Sequence, residues 1–286
     1  MTANPQSVFR FAPSPNGRLH LGHAFSALTT HQLARNHGGT FLLRIEDIDL
    51  ARSRPAYVDA IFEDLAWLGM TWPGPVLFQS TRFEAYRAAA DRLRERGLLY
   101  PCAATRADRA AAASADAPRD PDGAPLYAPI CKMSGRGFLR ACTADDPDIA
   151  WRLDMRAAIA AAESDLAIPV WDGGGGISMR IADPAQWGDP VIMRKDVPAS
   201  YHLAATIDDA HQGITHITRG QDLEPATDLH RLLQALLCLP TPVYHHHTLI
   251  RDLAGRKLSK TAQDTSLSEL RAEGLSVEDV RDLIGL

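Results

Sequence analysis

Two histidines one helical turn apart, His20 and His23, enclose Gly22 near the start of the chain, and two lysines, Lys257 and Lys260, stand near its end. Both groups suit an anion. The first follows Arg10-Phe-Ala-Pro13-Ser14-Pro-Asn-Gly17-Arg-Leu, in which prolines and glycine break a short apolar strand into a tight loop. From Leu21 the apolar residues Ala24, Phe25 and Leu28 recur at helical spacing, so a helix begins at the second histidine. A loop ending on a helix N-terminus offers unpaired backbone N–H groups and the positive end of the dipole, which is where phosphates bind. Two imidazoles one turn apart can donate to the same phosphate. Gly22 leaves room for a flat ring against the backbone. Lys257 and Lys260, after the turn at Gly255, bring ammonium groups suited to charge on a departing phosphate.

A second set of residues suits a carboxylate and an ammonium. Arg10 opens the histidine loop and Arg219 ends a predicted strand, and a guanidinium binds a carboxylate as a two-pronged fork. Glu46, just past the strand Phe41–Ile45, can accept from an ammonium; Ser14 and Tyr201 add hydroxyls. The plain structural alternative for Glu46 is an ion pair with Arg44 or Arg52. Three consecutive histidines, 245–247, lie in a predicted strand, where neighbours point to opposite faces, so they cannot all ligate one ion. Gly173 to Gly176 read as a flexible turn, because no Lys-Ser/Thr follows them.

The elements that must position these groups alternate. A strand over Val8–Ala12, a helix over Leu21–Asn36, a strand over Phe41–Ile45 and a helix over Pro55–Leu68 are expected, with Ser80 capping a third helix that ends before Gly97. The rhythm breaks over 102–150, where an Ala/Asp/Arg/Pro-rich stretch (107–125) reads as a loop or insertion, and short strands follow to Pro190. Alternation then returns: strand 191–194, helix 201–210, strand 214–219, helix 226–237, strand 243–250, and two short helices over 266–286. This order predicts an α/β fold with a doubly wound parallel sheet, its ligand crevice at the carboxyl ends of the strands. The expected division is a first half of the sheet domain (1–101), an inserted smaller α+β region (102–190), a second half (191–265) and a short helical C-terminus (266–286).

The chain has 286 residues, 45% hydrophobic and 23% charged, the composition of a soluble globular protein. No stretch approaches a membrane span, and the N-terminus has neither the basic nor the apolar part of a secretory signal. Four cysteines at irregular spacing point to a reducing cytoplasm, and a net charge of −5 argues against a uniformly basic nucleic-acid surface. The residues set no oligomeric state; a monomer is the default expectation.

Together with RFAPSPNG (10–17), LLRIEDID (42–49), YHLA (201–204) and DDAHQGITHITRGQDL (208–223), the histidine and lysine motifs resemble the signatures of class I aminoacyl-tRNA synthetases, and of their glutamyl branch in particular. The resemblance runs from about Phe9 to Thr261. It implies a Rossmann-like catalytic domain that uses ATP with Mg²⁺. It implies that His20, His23, Lys257 and Lys260 are catalytic, that Pro13, Gly17 and Gly22 join His20, His23 and Lys260 around ATP, and that Arg10, Ser14, Glu46, Tyr201 and Arg219 bind L-glutamate. Members of the branch often carry zinc on a Cys-x-Cys pair and a later Tyr-x-x-x-Cys. Here Cys102, Tyr127 and Cys131 remain while Ala104 replaces a ligand, so the balance is against a tight zinc site, which wants four ligands. Only 25 residues follow Lys260-Thr261, too few for an anticodon-binding domain. That resembles the truncated glutamyl-queuosine synthetases, whose acceptor is the queuosine base of tRNA(Asp). An ordinary glutamyl-tRNA synthetase fragment that charges a tRNA 3′ end, and a non-catalytic paralogue that binds glutamate or RNA, stay open as alternatives.

Overall fold

The computed structural model describes residues 6–104, 108, 118–126, 149–163, 165–250 and 265–286. Its centre is a seven-stranded sheet in the order β3-β2-β1-β9-β10-β6-β7. Here β1 is Val8–Phe11, β2 Thr40–Ile45, β3 Leu77–Phe78, β6 Ala167–Trp171, β7 Ile177–Ile181, β9 His216–Gly220 and β10 Val243–His247. Six of these run parallel; only β7, the return strand of a hairpin with β6, is antiparallel. From β1 the chain winds outward through β2 to β3, and it re-enters beside β1 at β9 before passing to β10. The winding reverses between β1 and β9, and a crevice opens at such a reversal.

Helices cover both faces. On one side lie α1 (Leu21–Asn36), α2 (Pro55–Trp67) and the C-terminal pair α7 (Leu267–Ala272) and α8 (Val277–Ile284). Their core is built on Phe9, Leu28, Leu43, Ile61, Leu65, Leu267 and Val280. On the other side α3 (Phe83–Glu95), α5 (Tyr201–His211) and α6 (Glu224–Leu237) pack Tyr86, Leu93, Leu203, Leu229 and Leu233 together. The short α4 (Met155–Ala161) joins this second core. No described helix is long and apolar enough to cross a membrane.

The sheet departs from the sequence reading in three places. The described strands of the 102–190 stretch join two different sheets. Strands β4 (Leu99–Cys102), β5 (Ala150–Leu153) and β8 (Val191–Met193) make a separate antiparallel sheet, while β6 and β7 extend the large one. The physical reason is pairing: β6 completes an edge that β10 would otherwise leave open. Ser80 does not cap the third helix, which starts at Phe83. Its hydroxyl instead donates to Asp47 Oδ2 at 2.6 Å and its N–H to Asp47 Oδ1 at 2.8 Å. Strand β10 stops at His247, short of Ile250, because its neighbour β9 ends at Gly220 in the same register. The Gly173–Gly176 run is the β6–β7 turn, where Asp172 accepts N–H bonds from Gly174, Gly175 and Gly176.

One buried charge is poorly served. Asp64 on α2 is fully buried, neither of its oxygens is hydrogen-bonded, and Arg271 Nη2 comes no nearer than 3.7 Å. Burial pushes this carboxyl up to about 6, against the weaker pull of Arg271 and Arg18. A carboxyl raised above its unfolded value of about 3.9 binds its proton more tightly in the native state. The stability it contributes is therefore present at low pH and lost as pH rises through about 6. Asp64→Asn is expected to stabilise the protein by about 1–2 kcal/mol at pH 8 and by almost nothing at pH 4. Thermal melts at the two pH values check this; an equal shift at both would show that ionisation is not the cause.

Candidate active site

A cavity of about 510 Å³ lies at the carboxyl ends of β1, β2, β9 and β10, against the N-termini of α1 and α5. Of the residues singled out in the sequence, Arg10, Pro13, Ser14, His20, Gly22, His23, Glu46, Tyr201 and Arg219 all line it. Gly17 does not. Lys257, Lys260, Tyr127 and Cys131 lie outside the described residues. The described residues that bracket the lysines in sequence are close to the cavity or to its lining. Ile250 lines it, and Ser266 forms a bridge with His20 while Leu267 N–H donates to Leu19 O at 2.8 Å.

The histidine loop is held by its own backbone. His20 is the N-cap of α1, and its Nδ1 accepts from Gly22 N–H at 3.1 Å. His23 Nδ1 accepts from His20 N–H, also at 3.1 Å. These two bonds form a reciprocal cap of the helix. They also decide the tautomers. A ring nitrogen that accepts a backbone N–H carries no proton, so each neutral imidazole carries its proton on Nε2. Both rings, 3.9 Å apart between centroids, therefore present an Nε2–H donor. Gly22 has a second reason to be glycine besides room for a ligand: a Cβ there would sit 2.9 Å from His20 Cε1 and 3.1 Å from its Nδ1. The loop is tied to β2 by Glu46 N–H donating to Pro13 O at 3.0 Å.

The charged residues fall into two groups. Arg10 Nε donates to Asp209 Oδ1 at 3.0 Å; Arg44 Nη1 donates to the same oxygen at 2.8 Å, and Arg44 Nη2 to Glu46 Oε1 at 3.0 Å. All four side chains are buried, two cations against two anions. Burial alone would raise Asp209, but Arg10 and Arg44 together hold it below the usual carboxylate range. Glu46 is pushed up by burial, against the pull of Arg44 and Arg10. The ion pair with Arg44 and a place in the cavity are thus both true of Glu46. Arg10, expected as a ligand for a side-chain carboxylate, already has Asp209.

Arg219 is different. It is 4% exposed, its Nη2 donates to Thr227 Oγ1 at 2.6 Å, and its Nε and Nη1 have no partner among the described residues. A buried guanidinium with half its fork unmatched is costly unless a ligand completes it. His247 adds an acceptor. Its Nδ1 faces Thr248 O at 2.8 Å and so carries the proton, leaving Nε2 unprotonated at the cavity and unpartnered among the described residues. Asp209, Arg44, Thr227 and His247 carry much of this geometry, yet none was picked out as a ligand-site residue from the sequence. The adjacent Asp208-Asp209 on an otherwise apolar helix was the available signal, because charges on a buried face need partners. Asp208 takes Gln79, Arg82 and Tyr86.

For zinc, the described residues supply Cys102, buried at the end of β4, and an alanine at 104. Tyr127 and Cys131, the other two expected ligands, lie outside the described residues, and no cluster of three or more candidate ligands occurs among the described ones.

Residues 7–116 and 175–285 match the model of the catalytic domain of class I tRNA synthetases for glutamate and glutamine (E and Q). The chain belongs to this synthetase family. The Glutamyl-Q tRNA(Asp) synthetase of Rhodobacter capsulatus is 49% identical over 282 residues, which covers 98% of this chain and all of that protein. A Glutamate--tRNA ligase 2 of Dinoroseobacter shibae is 37% identical over 93% of this chain, but only 58% of its own length is matched. Among solved structures, the glutamate-tRNA synthetase of Elizabethkingia anophelis superposes with a TM-score of 0.68 at 26% identity, over 94% of this chain and about half (54%) of that one. The synthetase described here is thus a Rossmann-like ligase whose cavity occupies the family's catalytic domain.

Proposed function

We propose that this synthetase joins L-glutamate to ATP as glutamyl-adenylate and then passes the glutamyl group to the queuosine base of tRNA(Asp). The observation that carries the first half is the unmatched fork of Arg219 in the same cavity as two Nε2–H imidazoles at a helix N-terminus. An amino acid with an anionic side chain completes the fork. Its ammonium suits Glu46, and Ser14 and Tyr201 border it. Its α-carboxylate is then free to meet the phosphate held at α1.

In the first step a carboxylate oxygen of glutamate bonds to the α-phosphorus of ATP and the bond to the β-phosphate oxygen breaks, releasing pyrophosphate. His20 and His23 donate to phosphate oxygens as charge builds, and neither needs to lose a proton. Lys257 and Lys260 neutralise the leaving group; in sequence they stand between Ile250, which lines the cavity, and Ser266, which bridges to His20. Mg²⁺ arriving with ATP supplies further neutralisation of the phosphates. In the second step a hydroxyl of queuosine's cyclopentene diol attacks the activated carbonyl, AMP leaves and the hydroxyl proton is released. No side-chain nucleophile is required, so positioning and electrostatics supply the rate.

The queuosine acceptor is supported by the match to the Rhodobacter capsulatus protein along that protein's whole length. The glutamate–tRNA ligase likeness favours the rival, charging of a tRNA 3′ end. Transfer of labelled glutamate to tRNA with and without queuosine separates them. Label is expected on queuosine-containing tRNA(Asp) alone, and label on the 3′ end of tRNA(Glu) would overturn the acceptor assignment. Lys260→Ala is expected to slow glutamate-dependent ATP–pyrophosphate exchange by about 10²–10³-fold; an unchanged rate would refute the lysine's role.

A further inference from the structure

Among the described residues Arg219 makes no ion pair, and Thr227 and Tyr244, both uncharged, stand against it. Its Nη2 donates to Thr227 Oγ1 at 2.6 Å, and the same oxygen lies 3.0 Å from His246 Nε2. Its guanidinium carbon sits 5.5 Å from the centre of the Tyr244 ring. Hydrogen-bond roles in this chain follow from chemistry. A guanidinium can only donate, so Thr227 accepts from Arg219, and the same hydroxyl is shared with His246 Nε2. Burial, and next the charge of Arg219, push His246 down to about 3, so it stays neutral at any working pH. Burial and Arg219 likewise push His202 down to about 3 and His230 well below its ordinary value. Arg10 and Arg44, by contrast, are each given a carboxylate.

We propose that Thr227 and His246 are positioning residues that fix the Arg219 guanidinium by a hydrogen-bond chain while withholding a counter-charge, so that the substrate's side-chain carboxylate must supply the missing anion. This rests on the reading of the cavity as a glutamate site and adds how that site distinguishes an acid from its amide. A clamp built on aspartate would hold the arginine equally well but would cancel its charge. With a neutral clamp, a glutamate carboxylate can accept from the unmatched Nε–H or Nη1–H, which lie on opposite sides of the guanidinium, whereas glutamine offers one carbonyl oxygen and two N–H groups that clash with donors. A buried cation left without its anion is the penalty that rejects the amide.

The test is Thr227→Val, similar in shape but without the hydroxyl, beside Thr227→Ser, which keeps it. In glutamate-dependent ATP–pyrophosphate exchange, Thr227→Val is expected to raise KM for glutamate by about tenfold or more, with KM for ATP within about twofold. Its preference for glutamate over glutamine should fall by a similar factor. Thr227→Ser should restore both to within about threefold of wild type. An unchanged glutamate KM in Thr227→Val, an equal rise in KM for ATP, or failure of serine to rescue would each overturn the clamp. Calorimetric titration with glutamate separates the clamp from the reaction. Wild-type binding without exchange refutes adenylation alone, and the clamp is then judged on the Kd of the two variants. No wild-type binding refutes both readings.

Discussion

Arg219→Leu is expected to lower kcat/KM for glutamate by about 10²–10³-fold while leaving thermal stability unchanged or raised. The two halves of this result come from one observation. Arg219 is buried, with Nε and Nη1 unmatched among the described residues, so in the free enzyme it is a charge that the fold supports at a cost. Replacing it with an apolar side chain removes that cost. In the proposed glutamate complex it pairs with the side-chain carboxylate, and truncating one partner of a buried charge pair costs about 2–5 kcal/mol of binding. Arg219→Lys should recover little, because an ammonium at the end of a flexible stem cannot offer two parallel N–H groups. Exchange kinetics and thermal melts on the same samples check both halves. If the leucine variant melted far below wild type, the activity loss would be a folding defect and the site assignment would lose its support.

The second large effect is expected from the smallest substitution, Gly22→Ala. In the interior of an ordinary helix, glycine to alanine adds about 1 kcal/mol of stability. Here the new Cβ would lie 2.9 Å from Cε1 of His20, the ring that caps α1 through its Nδ1. That ring must swing away. It gives up its bond to Gly22 N–H, and its Nε2–H leaves the position proposed to meet the phosphate. A misplacement of about 1 Å in a positioned group costs about 10²-fold in rate, and a lost N-cap about 1 kcal/mol. The expected outcome is thus an exchange rate about 10²-fold lower, with KM for glutamate little changed, and no gain in melting temperature. Full activity in the alanine variant would mean that the His20 ring, as placed here, is not the phosphate donor.

The two predictions differ in what they owe to the sequence. Nine of the residues expected from the motifs and from the family resemblance they carry (Arg10, Pro13, Ser14, His20, Gly22, His23, Glu46, Tyr201 and Arg219) line one cavity. They could be found because each sits at a break in periodicity, just past a strand or at a helix start, and the carboxyl ends of parallel strands face one crevice. The helices were legible for the same reason: α1 begins and ends where the apolar spacing and the Gly38-Gly39 stop place it.

What the sequence left open depended on contacts between residues far apart in the chain. Arg10 and Arg219 read alike, as cations at strand ends. Only the fold places Asp209, 199 positions away, against Arg10 and gives Arg219 no more than the hydroxyl of Thr227. One arginine is thereby paired within the scaffold, while the other makes no ion pair among the described residues. Likewise the sequence put two histidines one turn apart, but their tautomers follow from backbone N–H groups that only the folded loop aims at Nδ1. Residue types and local spacing determined which chemistry was available and where along the strands it would stand. Charge compensation, tautomer and burial belong to long-range pairing, and those the tertiary structure alone decided.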